Sequence, residues 1–326
     1  MTGDLTRGPV VKTMLLFAAQ MILGNLLQQC YNIADTLIVG RFIGPNALAA
    51  VGSAYTLMTF LTSILLGLCM GSGAVFSIHF GQRDERGLKE CIFTSFIFIA
   101  ALTLILNIAV FAFIDQILTF MNIPSEVRGD MREYIEIIFF GLAATFLYNY
   151  FASLLRAVGN SVTPLIFLAV SAVMNIVLDL WFVIGLGRGV GGAAEATVIS
   201  QYAAGIGIAV YAWAKRPDLR VDRRSSRIRA ERINEIAGFS VLTCVQQSVM
   251  NLGILLVQGL VNSFGATVMA AFAAAVKIDS FAYMPVQDFG NAFSTFIAQN
   301  YGAKKERRIR EGLKGAVLTA AVFCVI

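Results

Sequence analysis

The sequence predicts an all-α polytopic membrane protein organised as six-helix bundles, and three observations carry that expectation. Of 326 residues 57% are apolar, and only 25 Lys and Arg with 20 Asp and Glu are charged, where a soluble chain of this length carries roughly 80 charges. The apolar residues fall in runs that match the ~20 residues a helix needs to cross the hydrocarbon layer. The chain also repeats itself, in the same orientation, after six such runs. Composition alone excludes an ordinary soluble domain.

In chain order the apolar runs are 13–39, 47–79, 91–114, 131–155, 165–185, 192–214, 236–261, 269–300 and 313 to the last residue. They predict eight crossings and part of a ninth, about 8.5 transmembrane helices. Pro9, Pro45, Pro124, Pro164 and Pro217 fall at the boundaries, whereas Pro285 lies inside the eighth run and is expected to kink it. The opening Met-Thr-Gly-Asp-Leu-Thr-Arg-Gly-Pro lacks the marks of a secretory signal, so the first run is expected to stay as a structural helix. The ninth run holds about 14 residues against the ~20 required, the expectation for a chain truncated at its C-terminus. Cys30, Cys69, Cys91, Cys244 and Cys324 sit in or beside apolar runs and read as reduced packing residues.

A shift of 221 lays Gly44 on Gly265, Ala49 and Ala50 on Ala270 and Ala271, Gly81 on Gly302, and Glu85, Arg86 and Glu90 on Glu306, Arg307 and Glu311. Six crossings separate the copies, an even number, so the repeats are parallel, with an axis near the membrane normal. The domain organisation expected is a first bundle at 1–214, a basic linker at 215–235 and a partial second bundle at 236–326. An intact protein would hold two bundles of six.

Placing the N-terminus in the cytoplasm puts 20 of the 25 Lys and Arg inside and leaves Arg41, Arg128, Arg132 and Arg188 outside, with Lys277 inside the eighth run. This asymmetry is what the positive-inside rule describes, and it predicts a multi-pass protein with a cytoplasmic N-terminus. The basic run Lys215 to Arg232 has no interleaved aromatics, so it reads as solvated or in contact with anionic membrane lipid rather than nucleic acid.

Polar groups at membrane depth are the candidate functional residues. In the first run Gln28, Tyr31, Asn32 and Asp35 form a stripe at helical spacing. A carboxylate at mid-membrane costs roughly 2.5–3.5 kcal/mol on insertion scales, so Asp35 should face a cavity or partner, unless it is simply hydrated near an interface. Asn175 and Asp179 share a face of the fifth run, and Thr197 and Gln201 repeat that spacing in the sixth. Should these faces converge, they offer only oxygen ligands, which suit a hard cation or a proton. In the eighth run Lys277, Phe281, Met284 and Asp288 share a stripe while Asp279 points away. Lys277 is then a cavity charge or the structural partner of Asp288. Gly67 and Gly71 form a Gly-x-x-x-Gly suited to close helix contact.

Two motifs are refused. Gly185, Gly187, Gly189, Gly191 and Gly192 mimic a phosphate loop but follow a membrane helix on the outer side, and read as a turn. His79 is the only histidine, has no second histidine to share a metal, and reads as a polar interfacial residue. No catalytic cluster can be assembled, so no enzyme, nucleotide site or cofactor is expected.

Asp35-Thr36-x-x-Val39-Gly40 within Tyr31 to Gly44, Arg156, Gly159 and Asn160 before Pro164, Asn175 with Asp179, Gly191 to Ser200, and Gln299, Asn300 and Gly302 together resemble the bacterial multidrug and toxic compound extrusion (MATE) transporters. The resemblance implies a MATE-like fold. It also implies an inner-membrane antiporter that exports amphipathic, often cationic organic compounds against inward H+ or Na+ flow, with Asp35, Asn175, Asp179 and Thr197 holding the coupling ion. Gln28, Tyr31, Asn32, Gln201, Lys277, Met284 and Asp288 are the cavity or substrate candidates. The partners expected are a small organic substrate and membrane lipid, with no nucleic acid and no obligate protein. A lipid-linked oligosaccharide flippase of the same superfamily, or a non-transporting membrane protein, is the alternative. One departure is plain: many relatives have a proline about where Gln20 stands, so coupling by bending the first helix is not implied here. The seventh run also lacks an acidic residue, which favours coupling in the first bundle.

Overall fold

The computed structural model describes residues 4–223 and 225–325, except for the side chains of 277, 280–282 and 322–325. Lys277, Phe281 and Cys324 thus lie, as side chains, outside the described residues. The chain forms α1 (Val10–Phe42), α2 (Pro45–Gln82), α3 (Glu85–Ala112), α4 (Ile114–Phe120), α5 (Ser125–Phe140), α6 (Leu142–Ala157) and α7 (Val162–Asp179). A π-helical turn at Leu180–Gly185 continues α7, and α8 (Gly189–Lys215), α9 (Ala230–Asn262), α10 (Ala266–Gly302) and α11 (Glu306–Val325) follow. Boundaries sit where the local chemistry puts them. Pro9 and Pro124 immediately precede α1 and α5, Pro45 opens α2, and the Asp84 carboxylate caps α3 by accepting the Gly87 N–H at 2.9 Å. Gly187 and Gly189, at φ 63° and 61°, make the turn into α8 that the refused phosphate motif occupies.

Among the described residues six helices are long and apolar enough to cross a membrane, and α5 with α6, bent by 45° at Gly141, makes a seventh. This is a multi-pass membrane protein. The eighth crossing read from the sequence is α10, an unbroken 37-residue helix that runs on through Pro285. Its length suffices, at ~1.5 Å per residue, but Lys277, Asp279 and Asp288 interrupt its apolar stretch after Val276.

The repeat recurs in the backbone. Gly44 and Gly265 precede α2 and α10 at φ 130° and 92°, and Arg83 and Lys304 follow them in the left-handed region at φ 60° and 56°. The two copies meet at a reciprocal contact. A Cβ on Gly81 would lie 2.1 Å from the Gln299 carbonyl oxygen, and one on Gly302 would lie 2.1 Å from that of Ile78. Residue 78 corresponds to 299 under the same shift of 221, so each copy presents one surface to the other, as a two-fold relation requires. The Gly67–Gly71 pair brings α2 onto α9, where added Cβ atoms would stand 2.4 Å from Cys244 Cα and 2.3 Å from Ser240 Cα.

Hydrogen bonds gather several loops at one end. Gln299 accepts from Leu5 N–H at 3.0 Å and donates to the Ala157 carbonyl at 2.7 Å, and Lys305 Nζ donates to the Thr6 carbonyl at 2.7 Å. Helix α9 starts at Ala230, inside the stretch assigned to the linker, because its first turn is anchored. Arg229 and Arg232 each approach the buried Glu90 carboxylate at 3.4 Å, and Arg86 does so at 3.1 Å. That corrects the reading of the basic run as merely solvated or lipid-bound: its last arginines neutralise a buried acid. Cys69 and Cys91 are buried as expected, whereas Cys30 is exposed on the helix surface.

Candidate functional site

Four helices bring the first-bundle polar residues together. Helix α1 carries Asp35, α7 carries Asn175 and Asp179, α8 carries Thr197, and α5 adds Tyr134; Asp35 is 7% exposed, Asp179 0% and Asn175 1%. The burial of Asp35 overturns the hydrated alternative. Asn175 Nδ2 donates to Thr197 Oγ1 at 3.2 Å, joining α7 to α8. Asp179 is close enough to Asp35 for the two carboxylates to act on each other electrostatically, and Tyr134 feels both.

Asn175 Oδ1 and both carboxylate oxygens of Asp179 are buried without a hydrogen-bond partner. A charge held this way is strongly disfavoured unless a proton or cation joins it. The donor set is all oxygen, so it fits a proton or a hard cation such as Na+ and lacks the nitrogen and sulfur ligands that softer metals select. Directly after Asp179 the helix opens into its π-helical turn, a local widening found at functional positions.

The remaining candidates divide. Tyr31 is buried, and Gln28, Tyr55, Asp35 and Tyr148 are near enough to act on its hydroxyl. Asn32 donates to Gln29 Oε1 at 3.3 Å along its own helix. Gln201 does not join Thr197 at the α7 contact; its Oε1 accepts from Thr145 Oγ1 at 3.1 Å, beside the α5–α6 bend. One turn along α8 is enough to change the facing helix from α7 to α6.

Met284 and Asp288 are both buried on α10, and Asp279 is exposed. Asp288 is held across the inter-copy contact by Asn25 of α1, whose Nδ2 donates to Oδ1 at 2.6 Å, while its other oxygen is buried without a hydrogen-bond partner. Arg156 of α6 acts on it electrostatically. Asn25 and Asp35 are ten residues apart, about 15 Å along α1, so Asp288 belongs to a second polar centre. The described partners of Asp288 are thus Asn25 and Arg156; the Lys277 side chain is outside the description.

Sequence reasoning missed Tyr134 and the role of Arg156, and it missed Asn25 although that residue extends the helical spacing of Gln28, Gln29 and Asn32 by one turn. Gln20 is a further case: Ser161 donates to its Oε1, tying α1 to the α6–α7 connection at the site where relatives were expected to have proline. A groove of about 910 Å3 lies elsewhere, between α1 and α11, and shares none of these residues.

A model of the MatE family matches residues 21–181 and 243–326. The chain is 29% identical over 307 residues to the probable multidrug resistance protein YpnP of Bacillus subtilis, covering 94% of this chain and 68% of that protein. It is 24% identical over 324 residues to the multidrug export protein MepA of Staphylococcus aureus, covering 98% and 71%. Among solved structures, an outward-facing multidrug resistance MATE transporter of the MOP superfamily superposes with a TM-score of 0.89 at 24% identity, covering 98% of this chain and 71% of that one.

Proposed function

The chain belongs to the MatE family, and from that premise we propose that it forms the ion-coupling bundle and part of the second bundle of a secondary antiporter exporting amphipathic, often cationic organic compounds. The driving ion is H+ or Na+ moving inward. The observation that supports this most is Asp179, whose two oxygens are fully buried without hydrogen-bond partners beside Asp35. With both carboxylates ionised the pair repels and attracts a cation; with a proton or sodium bound the repulsion falls, so the bound ion favours one arrangement of helices over the other. Asn175 and Thr197 supply further oxygens, and Tyr134 limits water. An effective preference of about 1.4 kcal/mol shifts the two states tenfold, and a few kcal/mol suffice for a cycle. Tyr31, Met284 and Asp288 are proposed to meet the organic cation.

The test is ion-dependent efflux of a cationic dye from cells carrying the protein at full length. Asp179→Asn should abolish the dependence on the ion gradient while leaving expression intact; unchanged efflux would place coupling elsewhere.

We also propose that the end carrying the N-terminal segment, the α2–α3 connection and the basic stretch before α9 faces the cytoplasm. The 20 Lys and Arg assigned to that side support this, as does the pairing of Arg132 with Asp115 at 2.8 Å and Arg188 with Glu195 at 2.6 Å on the other. A cysteine at Ser226, which is exposed where its neighbour Ser225 is buried, should resist an impermeant reagent applied to intact cells. Labelling from outside would reverse the assignment.

A further inference from the structure

A second cluster of chemically capable side chains lies away from the carboxylate pair, where α2, α3 and the first two turns of α9 converge. A ring nitrogen of His79, the Cys91 thiol sulfur and a Glu235 carboxylate oxygen all lie within 4.8 Å of one another. Three separate helices supply them. His79 and Cys91 are buried, while Glu235 is 28% exposed and Asp84 41%, which leaves a way in from solvent.

We propose that His79, Cys91 and Glu235 are the protein ligands of a site for a borderline-soft divalent cation, zinc being the type ion. Sulfur, nitrogen and oxygen donors are the set that zinc accepts, and three protein ligands leave a fourth position for water. No second histidine is required, which was the ground for refusing His79 from the sequence.

The arrangement around His79 has the form of a prepared ligand. Its Nδ1 faces Asp84 Oδ2 at 3.1 Å, and Asp84 is itself fixed by the Gly87 N–H on its other oxygen. A carboxylate on one ring nitrogen orients the imidazole and directs the other nitrogen's lone pair outward. That nitrogen, Nε2, already stands 3.0 Å from Glu235 Oε1. At metal–ligand bonds of ~2.0–2.3 Å, tetrahedral ligands are about 3.5 Å apart, so closing the site needs movement of roughly an ångström. The half-buried Glu235 side chain, on the first turns of α9, can provide it.

Local charge also allows a cation. Glu90, Asp84 and Glu235 all act on Cys91, as does Arg232, and Arg229 and Arg86 reach Glu90 from either side. With the thiol ionised, four negative groups face three arginines. Arg232 is the resident competitor: its Nη1 lies 3.4 Å from His79 Nε2 and 2.8 Å from a Glu235 oxygen, close to where the metal would sit. Zinc binding would displace that guanidinium toward Glu90, and Cys91 would give its proton to solvent as the sulfur–metal bond forms. Because the ligands come from α2, α3 and α9, an occupied site would clip the two copies of the repeat together at this end.

The test uses the purified chain in detergent, titrated with zinc against a chromophoric chelator and, separately, loaded with Co2+. One zinc per chain and a thiolate-to-cobalt charge-transfer band are expected. Cys91→Ser should remove the band, and Cys91→Ser, His79→Gln and Glu235→Gln should each weaken zinc by more than the ~10–100-fold that losing an outer-shell partner costs; Asp84→Asn should fall within that range. Arg232→Gln should tighten binding, and Cys69→Ser and Cys244→Ser should leave it unchanged. Glu235→Gln, at a half-buried position, keeps the test open should a variant at a buried ligand fail to fold. Absence of saturable zinc uptake, uptake unaffected by Glu235→Gln and His79→Gln, or a band persisting in Cys91→Ser would overturn the assignment.

Discussion

Helices α1 and α9 hold corresponding places in the repeat, yet only α1 carries an acid into the membrane. Gln28, Tyr31, Asn32 and Asp35 correspond, 221 residues on, to Val249, Leu252, Gly253 and Leu256. The asymmetry also runs the other way: Asp288 of α10 corresponds to Gly67 of α2, where the Cys244 backbone comes closest. Reciprocal contacts such as Gly81 with Gln299 and Gly302 with Ile78 are kept because the frame depends on them. The polar residues are free to differ, so one copy carries the proposed ion site while the other contributes Asp288 to a separate centre.

The largest effect should come from erasing the difference between α1 and α9. Asp35→Asn with Asp179→Asn leaves shape nearly unchanged and leaves α1 as free of a membrane-depth acid as α9. Efflux driven by a proton or sodium gradient in proteoliposomes of the full-length protein should fall to background, while Leu256→Asn in α9 should leave it near wild type. Normal ion dependence in the double variant would break the comparison.

Next in size is a test of the shared frame. Gly71→Val places a branched side chain where even a Cβ would stand 2.3 Å from Ser240 Cα, so backbone has to move. Overpacking of this kind costs about 1–3 kcal/mol, and the value here should lie at the top of that range. Gly253 has nothing within 4 Å of an added Cβ, so Gly253→Ala should be neutral or stabilise by up to about 1 kcal/mol. Thermal unfolding in detergent should separate the two. Equal midpoints would show that the α2–α9 contact yields more readily than its spacing implies.

These contrasts also indicate what the sequence could convey. Helix starts were legible at Pro9, Pro45 and Pro124 because proline acts locally, and the pairing of Asn175 with Asp179 was legible because spacing of four places both on one helix face. Tyr134, Asn25 and Cys91 were not. Each gains its meaning from a helix distant in the chain: Asn25 continues the spacing of Gln28, Gln29 and Asn32 yet meets Asp288 of α10, and a lone tyrosine or cysteine carries no periodicity to mark it. Gln201 shows a related point: spacing predicts a face shared with Thr197, but neighbouring turns of one face can meet different helices, here α7 at Thr197 and α6 at Gln201.

A smaller effect is expected at the second polar centre. Asp288→Asn keeps a hydrogen-bonding group opposite Asn25 but removes the charge opposite Arg156. Apparent affinity for a cationic substrate should weaken by up to tenfold, about 1.4 kcal/mol, with the ion dependence of efflux retained. Loss of ion dependence in Asp288→Asn would mean that the two centres act as one.

The smallest contrast lies at the starts of α3 and α11, where the shift places Asp84 on Lys305. Asp84 accepts the Gly87 N–H and so satisfies one of the free donors at the start of α3. Lys305 offers no acceptor; its Nζ instead reaches the Thr6 carbonyl and ties the N-terminal segment to the start of α11. One position therefore stabilises its own helix, and its counterpart stabilises a long-range contact. Replacing an N-cap acid by alanine costs ~0.5–2 kcal/mol, and with the Asp84 side chain 41% exposed the lower half of that range applies. Asp84→Ser keeps an oxygen for Gly87 and should recover most of the loss. Lys305→Ala should leave α11 itself intact and instead raise hydrogen exchange at Leu5, whose N–H is held by Gln299 in the same N-terminal contact. Exchange measured by mass spectrometry should show protection lost within the first turn of α3 for Asp84→Ala and within residues 4–8 for Lys305→Ala. Protection lost in α11 for Lys305→Ala would mean that the two copies use this position alike after all.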